Sequence, residues 1–201
     1  MVQAYLSSLL SLDESLFLSI NHLPHTELTN ALGLLLSGVG TAGIIWFLLG
    51  LFLFFREEKK DLPAMASPKA WQAGHWFFFS IVFAGGFSWF IVEVVLKPLA
   101  ARSRPGLELG AILVGSTTND SYSFPSGHAT IAFAMAVVLS RKEPKWWWIF
   151  YVLAVLISLS RIFLGKHYPL DVIVGGLLGW SIGKLSLILP KFIKHYNPHK
   201  S

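Results

Sequence analysis

Long apolar runs alternate with short polar breaks along most of this chain. Residues 31–55, 71–96, 146–164 and 170–189 are each long enough to cross about 30 Å of hydrocarbon as a helix, which takes about 20 apolar residues. Residues 127–140 are equally apolar but would make only about 21 Å of helix. Residues 1–30 differ, because Asp13, Glu14, Asn21, His22, Pro24, His25 and Glu27 interrupt them. That interruption predicts an amphipathic helix over 6–20 lying on the membrane, in preference to a sixth span. The pattern therefore predicts an all-α, polytopic membrane helix bundle of five transmembrane helices preceded by an interfacial helix. One domain is expected over 1–201, with 1–30 as its interfacial segment.

Charge orders these spans. Arg56, Lys59, Lys60, Lys69, Arg141, Lys142, Lys145, Lys191, Lys194 and Lys200 fall on one side of a five-span topology, and that side is expected to be the cytoplasm. The other side receives Lys97, Arg102, Arg104, Arg161 and Lys166. The C-terminus is thus expected inside and the N-terminus outside. With 54% hydrophobic and 13% charged residues, an ordinary soluble domain is excluded. A net charge of +5 concentrated in short loops reads as topology or anionic-lipid attraction, so no nucleic-acid partner is expected. No cysteine means no disulfide framework and no thiolate metal site. No Lys or Arg precedes Arg56, which argues against a cleaved signal peptide. Gly175, Gly179 and Gly183 recur every four residues and are expected to admit a neighbouring helix, as is the pair Gly85-Gly86. Trp146 to Trp148 read as an interfacial belt.

Three polar clusters fall at one membrane face. Lys97, Arg104 and Pro105 leave the end of one span. Pro125, Ser126, Gly127 and His128 open the short one, where a hydroxyl cap and unpaired backbone N–H groups suit an anion. Ser160, Arg161, His167 and Asp171 occupy the link between the last two spans, with Gly165 ending the first helix and Pro169 in the first turn of the second. His167 and Asp171, four apart, are spaced for a carboxylate to meet an imidazole nitrogen. An unpaired Arg161 would cost at least about 2.5 kcal/mol at bilayer depth, so an anionic partner is expected. Lys97, Arg104 and Arg161 together suit a tetrahedral dianion, which points to phosphate. Glu93 is expected to neutralise Lys97. Arg102 and Lys166 either extend the positive field to a second phosphate or snorkel into solvent.

These stretches, spanning 97–171, resemble the signature of the type 2 phosphatidic acid phosphatase superfamily at every fixed position. The short architecture is similar to small undecaprenyl pyrophosphate phosphatases and some lipid A phosphatases. The resemblance implies a lipid phosphatase with His167 as nucleophile, Asp171 holding its tautomer and His128 as general acid and base. It also implies phosphate binding by Lys97, Arg104, Arg161, Ser126 and Gly127, with no metal and no cofactor. Undecaprenyl pyrophosphate is the favoured substrate, ahead of lipid A 1-phosphate, phosphatidylglycerophosphate and phosphatidic acid. A non-catalytic lipid-phosphate carrier is the competing class; a haloperoxidase shares the oxyanion site but would be soluble. The expected location is the bacterial inner membrane, with the site facing the periplasm or exterior. The loop 106–122 is expected to select the head group.

Overall fold

The computed structural model describes residues 2–40, 43–60, 68–115 and 122–195. Residues 116–121 of the predicted head-group loop and Lys200 of the basic tail lie outside the described residues. Among the described residues all regular structure is helical. The helices are α1 (Val2–Asn21), α2 (Glu27–Gly40), α3 (Ile44–Lys60), α4 (Pro68–Trp89), α5 (Lys97–Ala100), α6 (Gly127–Lys142), α7 (Trp147–Phe163) and α8 (Pro169–His195). A π-helical stretch, Phe90–Leu96, joins α4 to α5, and single 3-10 turns cover Leu107–Leu109 and Pro144–Trp146.

Among the described residues, three helical stretches are long and apolar enough to cross a membrane: Trp76–Ala100, Pro144–Phe163 and Pro169–Leu189. A fourth crossing results if α2 and α3 count as one bent span. Residues 31–55 are therefore not the single straight helix expected from hydropathy. Their axes differ by 60°, and Gly43 at φ 72°, a left-handed value that favours glycine, stands at the end of the break. The α6 helix is too short to meet the same length test, as its apolar run already suggested. Large apolar side chains point outward along the bundle, among them Leu177, Ile173, Leu156 and Phe52. Lipid is the solvent that suits them.

The α6 helix is the axis of the fold, packed by α8, α7 and α4. Its inward residues include four alanines, Ala129, Ala132, Ala134 and Ala136, among larger aliphatic side chains. Since lipid tails are as apolar as leucine, burial gives little drive for helices to associate, and close packing must supply it. The glycine stripe of α8 does this. A Cβ at Gly175, Gly179 or Gly183 would lie 2.7, 2.0 or 2.7 Å from backbone oxygens of Ser126, Thr130 and Ala134 in turn. The second glycine pair divides. A Cβ at Gly85 would meet Met135 at 2.8 Å, whereas one at Gly86 would meet nothing within 4 Å. Both glycines border an apolar groove of about 480 Å³, which Phe47, Ile81, Trp89 and Met135 also line.

α1 is a 20-residue helix whose buried residues, Asp13, Phe17 and Asn21, recur every four positions and face α7 and α8. Its outer side shows Tyr5, Leu9, Leu12 and Leu16. Two of the polar residues that broke the hydropathy pattern are therefore buried in protein.

Candidate active site

The link between α7 and α8 is shaped by two complementary caps. Gly165 takes φ 73°, and the N–H groups of Gly165 and Lys166 donate to the carbonyls of Ile162 and Arg161 at 3.0 and 2.9 Å. This is the double bond of a glycine-terminated helix, and it satisfies carbonyls that would otherwise be orphaned. A Cβ at Gly165 would also sit 2.6 Å from the Ile112 carbonyl oxygen. Two residues after the turn, His167 is 2% exposed, and Pro169 then opens α8. Asp171, in the first turn, accepts the Tyr168 N–H at 2.9 Å on Oδ2, the reciprocal half of a capping box.

That cap alters the expected His167–Asp171 contact. His167 Nδ1 lies 2.7 Å from the Ser123 carbonyl oxygen but 3.6 Å from Asp171 Oδ2. A carbonyl can only accept, so the proton resides on Nδ1 and the Nε2 lone pair is left to react. Asp171 stands behind the ring as a charge, its Oδ1 taken by Arg102 Nη1 at 2.7 Å. Ser123, which tethers the imidazole, carried no side-chain signal that sequence reading could use.

The second cluster enters at the head of α6. Ser126 is its N-cap, with its hydroxyl accepting from the Ala129 N–H at 3.5 Å. The Ser126 N–H donates to the Asp171 carbonyl at 2.9 Å, which joins this cap directly to the start of α8. His128 follows within the first turn. Its Nε2 is buried with no hydrogen-bond partner among the described residues, as is Nε of Arg161. Arg161 Nη1 donates to the Ser37 hydroxyl of α2. The anionic partner expected for Arg161 is not supplied by a carboxylate among the described residues, which suits a cation meant for a bound anion.

The first cluster closes the ring. Lys97 is 6% exposed, and its Nζ bonds Glu93 Oε1 and Oε2 at 2.7 and 2.8 Å, as their four-residue spacing predicted. Arg104 Nη1 donates to the Lys166 carbonyl at 2.7 Å. His128 lies within electrostatic reach of Arg161, His167, Lys97 and Arg104 together. Three stretches far apart in sequence thus converge on one site. Lys166 is buried beside this cluster, whereas Arg102 is turned away from it into an ion-pair bridge.

The cationic setting governs proton occupancy. Burial lowers the pKa of His167 to about 4; Asp171 opposes the shift, and Arg161 and Arg104 reinforce it. Burial likewise lowers Lys166, with Arg161 and Arg104 adding to the effect. Burial also pulls Arg102 down, but its bond to Asp13 and the charge of Asp171 outweigh it and leave the guanidinium raised. The His167 shift has a definite sign. Between pH 6.5 and about 4 the unfolded chain binds a proton that the folded chain does not. The stability tied to this group is therefore complete above pH 6.5 and declines as pH falls through that window, by on the order of 3 kcal/mol. Nitrogen-15 spectra of His167 are expected to keep the neutral, Nδ1-protonated pattern down to about pH 5. A titration midpoint at 6.5 would contradict this account.

The sequence pattern of the PAP2 superfamily matches residues 73–194, well over half of the chain and all three clusters. The chain belongs to the PAP2 superfamily. An undecaprenyl-diphosphatase of Sulfolobus acidocaldarius is 42% identical over 103 residues, covering 49% of this chain and 50% of that protein. The match thus spans about half the length of that relative. A decaprenylphosphoryl-5-phosphoribose phosphatase of Mycobacterium tuberculosis is 35% identical over 154 residues, covering 75% of this chain and 74% of its own. Among solved structures, LpxE of Aquifex aeolicus superposes with a TM-score of 0.65 at 30% identity, covering 86% of this chain and 93% of that one. PAP2 membership together with the apolar helices makes this an integral membrane protein.

Proposed function

We propose that this PAP2 protein is a metal-independent phosphatase of membrane lipids that works through a phosphohistidine on His167. The observation carrying this reading is the convergence of His167, His128 and three cations about one position, with His167 bonded so that Nε2 is the reactive nitrogen. A binding protein would need the cations alone. In the first step Nε2 attacks phosphorus while the bond from phosphorus to the lipid or leaving-phosphate oxygen breaks. His128 gives its proton to that oxygen. The neutral His128 then takes a proton from water as the water oxygen displaces Nε2, which releases inorganic phosphate and restores His167. Lys97, Arg104 and Arg161, with the amides around Ser126 and Gly127, bind the nonbridging oxygens as charge spreads over them. Asp171 favours the cationic ring of the intermediate.

Metal independence follows from this division of labour, since three side chains supply the positive charge that Mg²⁺ would bring. Among the described residues no three His, Cys, Asp or Glu side chains are grouped to hold a metal ion.

Undecaprenyl pyrophosphate is the substrate we favour. Two relatives are named for prenyl-lipid substrates, and the apolar groove beside α6 suits a hydrocarbon chain. We place the protein in a bacterial inner membrane with five crossings, the C-terminus cytoplasmic and the site at the outer face, on the strength of the basic loops opposite it. The test is phosphate release by purified protein from undecaprenyl pyrophosphate, lipid A, phosphatidylglycerophosphate and phosphatidic acid in detergent. The pyrophosphate is expected to turn over fastest, the reaction to continue in EDTA, and vanadate, a five-coordinate phosphorus mimic, to inhibit. Complete loss in EDTA with recovery on adding Mg²⁺ would overturn the mechanism.

A further inference from the structure

We infer that Asp13 of α1 is a positioning residue for His167, acting through Arg102 and Asp171; the inference rests on His167 being the nucleophile. Asp13 is 2% exposed on a helix whose hydropathy alone assigned it to a membrane surface. Its two oxygens do different work. Oδ1 accepts the Leu170 N–H at 2.8 Å, satisfying one of the free donors at the head of α8. Oδ2 accepts from Arg102 Nη2 at 2.6 Å. The same guanidinium gives Nη1 to Asp171 Oδ1 at 2.7 Å and lies over the Tyr168 ring, 4.0 Å from its centroid. Phe17, one turn beyond Asp13, packs against that ring with the two centroids 5.4 Å apart. α1 therefore holds both the cation and the aromatic plate against which the cation is set.

The charge count gives this arrangement its consequence. Arg102 paired with Asp171 alone would cancel the carboxylate that stands 3.6 Å behind the His167 ring. With Asp13 on its other side, the guanidinium is shared between two carboxylates, so the three groups carry one net negative charge beside His167. That charge is what favours a cationic phospho-imidazole. Neither Asp13 nor Arg102 belongs to the three clusters that grip phosphate, so their influence should fall on the chemical step and not on substrate capture.

Asp13→Asn separates this role from a purely structural one, because the amide oxygen can still accept the Leu170 N–H while the charge is lost. The variants Asp13→Asn, Arg102→Gln and the double variant would be assayed on the lipid substrate, beside His167→Ala and with folding followed by melting temperature. Asp13→Asn is expected to lower kcat by about tenfold or more because Arg102 then cancels Asp171, and Arg102→Gln by a similar factor because Asp171 loses the bond that holds it behind the ring, while KM stays within about threefold in both. The double variant is expected to be no worse than the poorer single, since both act through one chain of contacts. A kcat within about twofold of wild type for folded Asp13→Asn, or kcat losses that multiply in the double variant, would overturn the inference while leaving an inactive His167→Ala to uphold the site. Activity retained in His167→Ala would overturn both. Where Asp13→Asn fails to fold, Asp13→Glu takes its place: the charge is kept, so kcat is expected to exceed that of Arg102→Gln, and a kcat at or below it would overturn the inference.

Discussion

Replacing His167 with alanine is expected to stop phosphate release, with kcat falling by roughly 10⁴-fold or more, the scale of loss when a nucleophile is removed from a catalytic unit. The expectation follows from how fully the surroundings serve that one ring. Its Nδ1 is committed to the Ser123 carbonyl, Asp171 stands behind it, and burial keeps it uncharged near neutral pH. His128 is no substitute, because it is fixed to another helix and the proposed cycle needs it to carry a proton. The cations remain in place, so affinity for inorganic phosphate should change by no more than about threefold, whereas vanadate, which takes Nε2 as its fifth ligand, should bind far more weakly. Phosphate release and inorganic-phosphate binding measured on the same purified variant check the two halves. Turnover within tenfold of wild type would remove His167 from the mechanism.

Gly179→Leu is expected to be the most damaging substitution remote from the chemistry. The first carbon of any side chain there would lie 2.0 Å from the Thr130 carbonyl oxygen and 2.8 Å from its carbon, both backbone atoms that no rotamer change can move aside. α6 and α8 would have to part. Those helices carry His128 and Asp171, and the Ser126 N–H to Asp171 carbonyl bond joins their heads. A loss of about 3 kcal/mol or more is expected, at the upper end for overpacked cores, together with a loss of activity. Gly86→Ala is the control, because a Cβ there meets nothing within 4 Å and alanine favours helix by about 1 kcal/mol. Thermal unfolding in detergent should separate the two clearly; equal melting temperatures would show that the close approach of α6 and α8 does not hold the bundle together.

The site was largely legible because its chemistry is written in residue types that membrane helices otherwise avoid. A cation such as Arg161 at the end of an apolar run is costly without a purpose, and glycine and proline around His167 announce a turn between two helices. The Glu93–Lys97 pair and the glycine stripe of α8 were readable for the same reason, since each depends on a fixed helical period. What was not readable depended on groups from distant elements. The tautomer of His167 is set by a backbone carbonyl, which every residue possesses and no sequence marks. Asp171 was expected to bond the imidazole, but as the third residue of α8 it is also placed to cap that helix, and the cap takes the same oxygen. Arg102 was weighed as extending the positive field to a second phosphate or as a solvated side chain; its guanidinium bridges Asp13 and Asp171, partners that its sequence neighbourhood does not reveal.

The N-terminal segment shows the limit most plainly. Its polar residues interrupt an apolar run, and hydropathy must assign such interruptions to the membrane surface. Instead Asp13 bonds Arg102 and Leu170, and Asn21, fully buried, clasps the loop and the end of α7 through the backbone of Ile112 and Phe163 at 2.7 to 2.9 Å. A polar atom is satisfied equally well by water or by a partner many residues away, and a window of adjacent residues cannot distinguish them. The sequence by itself determined the helical membrane class, the family and the side chains at the candidate site, because apolar length, charge and motif spacing are local quantities. Only the tertiary structure decided which carbonyl orients His167, where residues 31–55 bend and what α1 packs against. Those depend on which distant backbones approach closely enough to exchange hydrogen bonds.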